Sequence, residues 1–273
     1  MEPSLYSQSE RLSRAGFSHA FFTRRGGTSR GAYSSLNLSF DVGDRPQHVA
    51  ENRRRVAQVL GVGDGAVYVP RQIHGSALIV VDGTTPAAEI ATRPADAILS
   101  DGPGLACAVR TADCVPILIG DRETRRVAAV HAGWRGVTRG VLVATLDEFL
   151  ARGSRPEHLI AAIGPHISAA AFEVGEDVAR ELAAVTRTEG VVTVVEGQKP
   201  HVALAPILIA QLTALGVPRA QVDTVPGCTF TDRELFFSYR RDGQQSGRQL
   251  SAIVSEAILG AATASTSAQH GGG

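Results

Sequence analysis

Three short segments of this sequence carry side chains that suit metal chemistry. They are Gln72-Ile73-His74-Gly75, Ala112-Asp113-Cys114-Val115-Pro116 and His131-Ala132-Gly133-Trp134-Arg135-Gly136. Two imidazoles and a thiolate form a good ligand set for zinc, and three protein ligands leave a fourth position for water or substrate, as in catalytic zinc sites. If His74, Cys114 and His131 meet in the folded chain, the sequence predicts a zinc-dependent enzyme.

Each of these residues also has an ordinary explanation. A free cysteine is most often a small buried side chain, and the spacings match neither a zinc finger nor a metalloprotease helix. Asp113, beside Cys114, is a candidate for acid–base chemistry or for orienting a ligand histidine. Cys107 lies at an odd offset from Cys114, so in an unbroken strand it would face the other side, and we expect it in the core. His166, in a Gly-Pro turn, is the reserve ligand.

The composition narrows the class of protein. The chain has 273 residues, of which 44% are hydrophobic, and this is ample for one sizeable core. Its 27 basic and 27 acidic residues cancel, which gives no reason to expect nucleic acid or a membrane surface as a partner. Three cysteines do not make a disulfide framework, no apolar run approaches the roughly 18 residues of a transmembrane helix, and the N-terminus does not resemble a signal peptide. We therefore expect a cytoplasmic protein.

The apolar pattern predicts a mixture of short strands and helices. Short apolar runs predict strands over residues 77–81, 105–111, 115–119, 127–130, 159–163, 191–195, 222–225 and 250–254. Helices are predicted over 138–151, 176–185 and 205–215. Gly133 and Gly136, just after His131, permit a sharp turn before the first of these helices.

This mixture predicts an α/β (α+β) fold, a single layered domain with mixed sheets flanked by helices. We expect an N-terminal extension over residues 1–14, one catalytic domain over 15–260 and a disordered tail over 261–273. We further expect a monomer or a loose homodimer.

Further motifs make the sequence similar to a known family. These motifs are Phe22-Thr23-Arg24-Arg25-Gly26-Gly27, Ser35-Leu36-Asn37-Leu38, Val42-Gly43-Asp44, Glu51-Asn52-Arg53, Ile163-Gly164-Pro165, and residues 236–243 with Gly247-Arg248. With the three metal-type segments, they resemble the YfiH/YlmD-like family, whose members are named either polyphenol oxidoreductase (laccase-domain) proteins or purine nucleoside phosphorylases. The resemblance extends over about residues 15 to 255, and so many blocks in the same order make chance similarity a poor explanation.

The resemblance implies a YfiH-like fold and one metal site, usually zinc, formed by His74, Cys114 and His131. It implies phosphorolysis of adenosine, inosine, guanosine and methylthioadenosine, with adenosine deamination as a second activity. A purine nucleoside and phosphate are then the small-molecule partners. Asp113, Cys114 and His131 are the expected catalytic residues. Cys114 and His131 would hold a metal, which lowers the pKa of bound water to about 7, and Asp113 would move the proton.

Phosphorolysis also needs groups that bind phosphate. The planar guanidinium of arginine binds oxyanions through two parallel hydrogen bonds. The first candidates are Arg53 and Arg24, with Asn37 as a hydrogen-bonding neighbour, and the second are Arg240 and Arg248.

A purine also needs a flat apolar surface. Trp134 and Phe237 are candidates for stacking on the base, although core packing is the commoner role of such side chains.

Other functions fit parts of the sequence. Copper at the same site would give a single-copper polyphenol oxidoreductase, because copper binds such donors more tightly than zinc. However, the eight histidines include no His-X-His pair of the kind that multicopper oxidases use. Cys114 as nucleophile with His131 as base would give a hydrolase, for example one that edits peptidoglycan precursors. A non-catalytic partner-binding protein is the third alternative.

Overall fold

The computed structural model describes residues 5–255. The strands are β1 (Tyr6–Ser7), β2 (His19–Phe22), β3 (Val67–Tyr68), β4 (Leu78–Val81), β5 (Ala97–Ser100), β6 (Ala106–Thr111), β7 (Val115–Asp121), β8 (Val127–Ala132), β9 (Leu159–Ile163), β10 (Val192–Thr193), β11 (His201–Val202), β12 (Val222–Thr224) and β13 (Gln249–Val254). The helices are α1 (Glu10–Arg14), α2 (Pro46–Leu60), α3 (Ala87–Ile90), α4 (Trp134–Thr138), α5 (Val141–Ala151), α6 (Glu176–Ala184), α7 (Leu204–Ala214) and α8 (Tyr239–Asp242). The predicted tail at 261–273 lies outside the described residues.

The strands form two large mixed sheets and one small one. The five-stranded sheet has the order β1-β2-β13-β6-β3, and only its β3–β6 pair is parallel. The six-stranded sheet has the order β12-β9-β7-β8-β5-β4, with antiparallel pairs in the centre and a parallel pair at each edge. β10 and β11 form the small sheet. The predicted class, mixed sheets flanked by helices, is confirmed.

The two large sheets pack face to face and are covered on their outer faces by helices. Leu118 of β7 and Val109 of β6 belong to the core between the sheets. Ile117, on the opposite face of β7, packs into a second core with α5, α6 and α7, and α2 covers the outer face of the five-stranded sheet. Because β7 and β8 are buried on both faces, they read as nearly continuous apolar runs, which explains why the sequence located them well.

Most predicted elements are confirmed to within two residues, but one was wrong. The helix predicted over 138–151 is in fact two helices, and α4 begins already at Trp134. The strand predicted over 191–195 shortens to β10, because Val194 and Val195 are 68% and 49% exposed. Helix α2 had not been predicted. Cys107 is fully buried between the sheets, as expected.

The described part of the predicted N-terminal extension packs on the rest of the fold. Tyr6 and Ser7 pair with β2, and Leu12 of α1 is fully buried in the core between the sheets. Across residues 5–255, none of the helices combines the length and the apolar character needed to cross a membrane.

Candidate active site

Two chain segments cross from one large sheet to the other at the same end of the sandwich. The segment between β3 and β4 carries His74, and the segment between β6 and β7 carries Cys114. The side chain of Gln72 ties the first segment to the end of β6, just before the second, because it donates to the carbonyl oxygen of Arg110 at 2.7 Å and accepts from its backbone N–H at 2.8 Å. His131 lies in the neighbouring strand β8. The three predicted ligands therefore converge through the topology of the sheets.

His74, Cys114 and His131 form a group that could hold a metal ion. Their ligand atoms all lie within 4.8 Å of one another, and Cys114 Sγ is 3.9 Å from His74 Nε2. Two ligands of a tetrahedral zinc stand about 3.5 Å apart, so small side-chain adjustments suffice. Within residues 5–255 no second group of His, Cys, Asp and Glu side chains has this arrangement. The donor set and its spacing fit one metal ion with three protein ligands.

The two glycines after His131 allow close packing. Gly133 has an ordinary φ of −70° and is the one residue between the end of β8 and the start of α4, so the chain turns here without a left-handed glycine, and Gly136 lies inside that helix. A Cβ on Gly133 would lie 3.0 Å from both Cys114 Sγ and a ring carbon of His74. A Cβ on Gly136 would lie 3.2 Å from a backbone carbonyl oxygen of the segment that carries His74. Both glycines make room for the metal group.

Two residues of the site have a backbone conformation that side chains rarely adopt. His74 has a φ of 58° and Asp113 a φ of 96°, and such residues concentrate at functional sites. The carboxylate of Asp113 accepts hydrogen bonds from Thr229 Oγ1 at 2.7 Å and from the backbone N–H of Arg240 at 2.6 Å. Its carbonyl oxygen accepts from the N–H of Ile167 at 3.0 Å. Asp113 thus ties three distant segments to the metal group.

Sequence reasoning missed Asp96, the residue in closest support of the ligands. Asp96 is fully buried, and its carboxylate accepts a hydrogen bond of 2.8 Å from Nδ1 of His131. It also accepts one of 2.9 Å from the backbone N–H of His74. The only signal in the sequence is an acid directly before a short apolar run, which is a common pattern at the start of a strand.

Charges inside the group shift the acidity of two ligands in the metal-free protein. Burial by itself raises the pKa of the Cys114 thiol, but the positive charge of His131 and hydrogen bonds from His131 and His74 outweigh it and lower this pKa to about 6. For His131, burial lowers the pKa, but the thiolate of Cys114 and the carboxylate of Asp96 outweigh it and raise the pKa to about 9. The site therefore stabilises a thiolate, the form of cysteine that binds metals.

The metal group opens into a cleft of about 550 Å³. Side chains from both crossover segments, both large sheets, α8 and three further loops line it: Ser39, Asp41, Val42, Gln72, His74, Arg110, Thr111, Ala112, Asp113, Cys114, His131, Ile167, Phe172, Tyr239, Arg240 and Arg248. Three of these are arginines and two are aromatic. The cleft therefore joins a metal group, cationic groups and flat apolar surfaces.

The predicted arginines divide into two pairs. Arg240 and Arg248 line the cleft, and their guanidinium groups lie over the rings of Phe172 and Tyr239 at 5.5 Å and 5.6 Å. Arg53 and Arg24 are absent from its lining.

Arg24 and Arg53, the pair outside the cleft lining, have different environments. Arg24 donates to three backbone carbonyl oxygens and lies 4.4 Å from the ring of Phe237. Arg53 lies over Phe40, and burial followed by the nearby charge of Arg110 lowers its pKa. Arg110, which the sequence analysis had not singled out, is a cleft residue.

The remaining candidates lie behind the cleft wall. Asn37 is fully buried, and its side-chain oxygen accepts from the backbone N–H of Arg248 at 3.0 Å. Phe237 is fully buried, and Trp134 packs against the core beside the helices. Nδ1 of His166 is 2.8 Å from the carbonyl oxygen of Gly164, and His166 does not belong to the metal group. Phe172 and Tyr239 are the aromatic side chains that reach the cleft.

Comparison with known proteins places these features in a family. A family model described as multi-copper polyphenol oxidoreductase laccase matches residues 18–256. The purine nucleoside phosphorylase YfiH of Escherichia coli is 39% identical over 231 residues, which cover 85% of this chain and 90% of that protein. A purine nucleoside phosphorylase of Corynebacterium glutamicum is 37% identical over 233 residues, covering 85% and 92%.

Solved structures show the same fold. The crystal structure of YlmD from Geobacillus stearothermophilus covers 93% of this chain and 100% of its own, with a TM-score of 0.84 and 29% identity. A Neisseria meningitidis protein covers the same shares with a TM-score of 0.81 and 37% identity. The chain therefore belongs to the multi-copper polyphenol oxidoreductase laccase family, which includes the YfiH and YlmD proteins.

Proposed function

We propose that this protein is a zinc-dependent purine nucleoside phosphorylase. The observation that carries the proposal is the metal group of His74, Cys114 and His131 at the base of a cleft with three arginines. The names of its relatives, at 37–39% identity over most of the chain, point to the same activity. Phosphorolysis needs both an oxyanion site and a group that polarises the nucleoside, and the cleft offers both.

The phosphate site would lie at the arginines of the cleft. Burial lowers the pKa of Arg248; the charge of Cys114 acts against burial, and the charge of Arg110 lowers this pKa further. Arg110 has the same repulsive effect on Arg53. Cations held close together against their mutual repulsion form a favourable site for a multiply charged anion. Arg53, Arg110 and Arg248 together are our proposed phosphate-binding group, with Arg240 as a further contact and Asn37 holding the backbone of Arg248. Arg24 is then a structural residue.

The purine would lie against the aromatic wall. Tyr239 is 50% exposed and lines the cleft with Phe172, so its ring is available for stacking. In phosphorolysis a phosphate oxygen forms a bond to C1′ of the ribose, the C1′–N bond breaks, and the purine nitrogen takes the electron pair and a proton. We propose Asp113 as the acid–base group, because its carboxylate is fixed at the cleft wall by Thr229 and Arg240.

Zinc is the metal we propose, with copper as the alternative. His74, Cys114 and His131 would hold it, and it would supply a Lewis acid beside the substrate. The family description names several coppers, but within residues 5–255 only one group with suitable ligands is present. Multicopper chemistry needs more sites than one.

Three further expectations belong to the same proposal. Adenosine deamination would be a second activity of the same metal group. The protein would act in the cytoplasm, where small nucleosides and phosphate are available. It would be a monomer or a loose homodimer, which sedimentation at two concentrations would distinguish.

The experiment incubates metal-quantified protein with adenosine, with and without phosphate, and identifies the products. Adenine that forms only with phosphate, and is lost in the His131→Ala variant, is the expected result; inosine would show the deaminase activity. Absence of any purine product from zinc-loaded protein would overturn the proposal and favour the cysteine hydrolase. That alternative predicts activity that survives a chelator and is abolished by alkylation of Cys114.

A second arm tests the phosphate site. Arg248→Gln and Arg53→Gln should raise the KM for phosphate while leaving the KM for adenosine nearly unchanged. Arg54→Gln is the matched control, because Arg54 is exposed and pairs with Glu51 on the same helix. Equal effects of all three variants on both constants would remove these arginines from the phosphate site.

A further inference from the structure

Four hydrogen-bond donors converge on the single carboxylate of Asp96. One oxygen, Oδ1, accepts from Nδ1 of His131 at 2.8 Å and from the backbone N–H of His74 at 2.9 Å. The other, Oδ2, accepts from the backbone N–H groups of Gly75 at 2.6 Å and Ile73 at 3.2 Å. One carboxylate therefore contacts both segments that carry the histidine ligands.

The backbone of Asp96 contacts the same two segments. Its carbonyl oxygen accepts from the backbone N–H of His131 at 2.7 Å, and its N–H donates to the carbonyl oxygen of Ala77 at 2.9 Å. The residue lies directly before β5, which pairs with β4 on one side and β8 on the other. The sheet therefore fixes the position of Asp96 independently of the segment that carries His74.

Beyond Asp96, the segment around His74 is held by Gln72, which bonds to Arg110, and by Arg139, which donates to the carbonyl oxygen of His74 at 3.4 Å. Neither contact engages the backbone N–H groups of Ile73, His74 and Gly75. His74 and Ile73 are exposed, and His74 has a positive φ that an ordinary side chain adopts only when its surroundings enforce it. Three successive N–H groups that point at one carboxylate are such an enforcing contact. Without it, we expect the segment to relax and His74 to leave its place beside Cys114.

We propose that Asp96 is the positioning residue of the metal group, fixing the His74 segment through its backbone and the His131 ring through Nδ1. The inference rests on the proposed metal site but not on which reaction the site performs. Because Nδ1 of His131 is engaged by Asp96, Nε2 is the nitrogen left to bind the metal. One side chain thereby sets the geometry of two of the three ligands.

The arrangement requires a carboxylate and rejects an amide of the same size. Asparagine offers one acceptor oxygen and one NH2 donor, so one of the two donor pairs must face an NH2 group. If the NH2 replaces Oδ2, it meets the N–H groups of Gly75 and Ile73. If it replaces Oδ1, it opposes the N–H of His74 and favours the tautomer of His131 that carries its proton on Nε2. Either orientation disturbs a ligand while the volume is unchanged.

The test compares Asp96→Asn with Asp121→Asn. Asp121 is also fully buried and also accepts backbone N–H groups, from Glu123 at 2.9 Å and Thr124 at 3.2 Å, but at the far end of β7. Zinc affinity is measured by competition with a chromophoric chelator. The tautomer of His131 is measured by nitrogen NMR of metal-free protein at a pH well above about 9, where the ring is neutral. We expect Asp96→Asn to weaken zinc binding by about 10- to 100-fold and to change the nitrogen shifts of His131, with Asp121→Asn unchanged in both.

Wild-type affinity and an unchanged His131 tautomer in Asp96→Asn would overturn the proposal, as would an equal loss in both variants. Neither readout needs a nucleoside, so absence of phosphorolysis would not affect them. If Asp96→Asn does not fold, hydrogen exchange of the metal-free wild-type protein decides. We expect slow exchange of the Ile73, His74 and Gly75 amides despite the exposure of the segment, and fast exchange of these amides would equally refute the positioning role.

Discussion

The pKa values of two buried histidines of this protein are shifted in opposite directions. His19 in β2 and His131 in β8 are 2% and 3% exposed, and each ring has a hydrogen bond at Nδ1. His19 bonds to the carbonyl oxygen of Phe17, whereas His131 bonds to the carboxylate of Asp96. Burial therefore does not distinguish them, but the charge of the partner does.

The second ring nitrogen completes the contrast. Nε2 of His19 accepts the backbone N–H of Ser9 at 2.9 Å, so both of its nitrogens are used inside the fold. Nε2 of His131 is left for Cys114 and the cleft. Burial lowers the pKa of His19 despite its hydrogen bond to Phe17, while the charges of Cys114 and Asp96 outweigh burial and raise that of His131 to about 9. His131 thus differs from His19 in having a charged partner at Nδ1 and in leaving Nε2 to face Cys114.

The largest expected effect is the difference in zinc affinity when each of these two histidines is replaced by glutamine. His131→Gln should weaken zinc binding by more than about 100-fold, beyond the loss typical of a supporting residue, because it removes a ligand. His19→Gln should leave zinc affinity unchanged. Chelator competition on both variants checks this, and similar losses in the two would mean that the metal is held elsewhere.

A second prediction concerns the thiol that faces His131. In metal-free protein, the rate of alkylation of Cys114 should rise with pH through a midpoint of about 6, since the charge of His131 outweighs burial and favours the thiolate. In His131→Gln this midpoint should move up, towards the ordinary value of about 8.5. Mass spectrometry of the peptide that carries Cys114 reports the rate. An unchanged midpoint in the variant would show that His131 does not set the charge of the thiol.

A third prediction uses the space between the ligands. Gly133→Ala places a Cβ 3.0 Å from Cys114 Sγ and from His74, so it should weaken zinc binding by about tenfold, which corresponds to roughly 1.4 kcal/mol. Gly63→Ala is the control, because a Cβ there meets nothing within 4 Å. Equal affinity of the two variants would mean that the metal group tolerates the extra methyl group.

The smallest expected effect is the change with pH in the stability that His19 contributes. The unfolded chain takes up a proton at this residue near pH 6.5, but the folded chain does so only at a lower pH, so the contribution of His19 to stability is full above about 6.5 and is lost as the pH falls below it. His19→Gln should lose about 1–3 kcal/mol at neutral pH by leaving buried groups unpaired. It should lose less in acid. Urea unfolding at about pH 5 and about pH 7.5 measures the difference, and a constant gap between wild type and variant would contradict the assignment.

The sequence identified the three candidate metal ligands but not the residues that hold them in place or line the cleft beside them. The metal ligands were recognisable because their residue types are chemically distinctive and stand in motifs that resemble a family. Asp96, Arg110 and Tyr239 were missed, because an acid before a strand, an arginine in a strand and a tyrosine near a short helix have common structural roles. Arg24 drew attention as a member of a motif, but its guanidinium donates to backbone carbonyl oxygens away from the cleft. Arg53 also lies outside the cleft lining, but close enough to Arg110 for their charges to interact.

The sequence by itself determined the class of fold, the buried strands and the chemical identity of the metal group, because these follow from local apolar patterns and from the side chains themselves. Only the tertiary structure decided which residues surround that group. Two sheets had to stack before the crossover segments with His74 and Cys114 could meet His131 in β8. Pairing of β5 with β8 put a buried carboxylate behind His131, whereas the carbonyl oxygen behind His19 belongs to Phe17, only two residues away. The raised pKa of His131 therefore depends on Asp96 and Cys114, which are distant in sequence and come close to it only in the folded sheets.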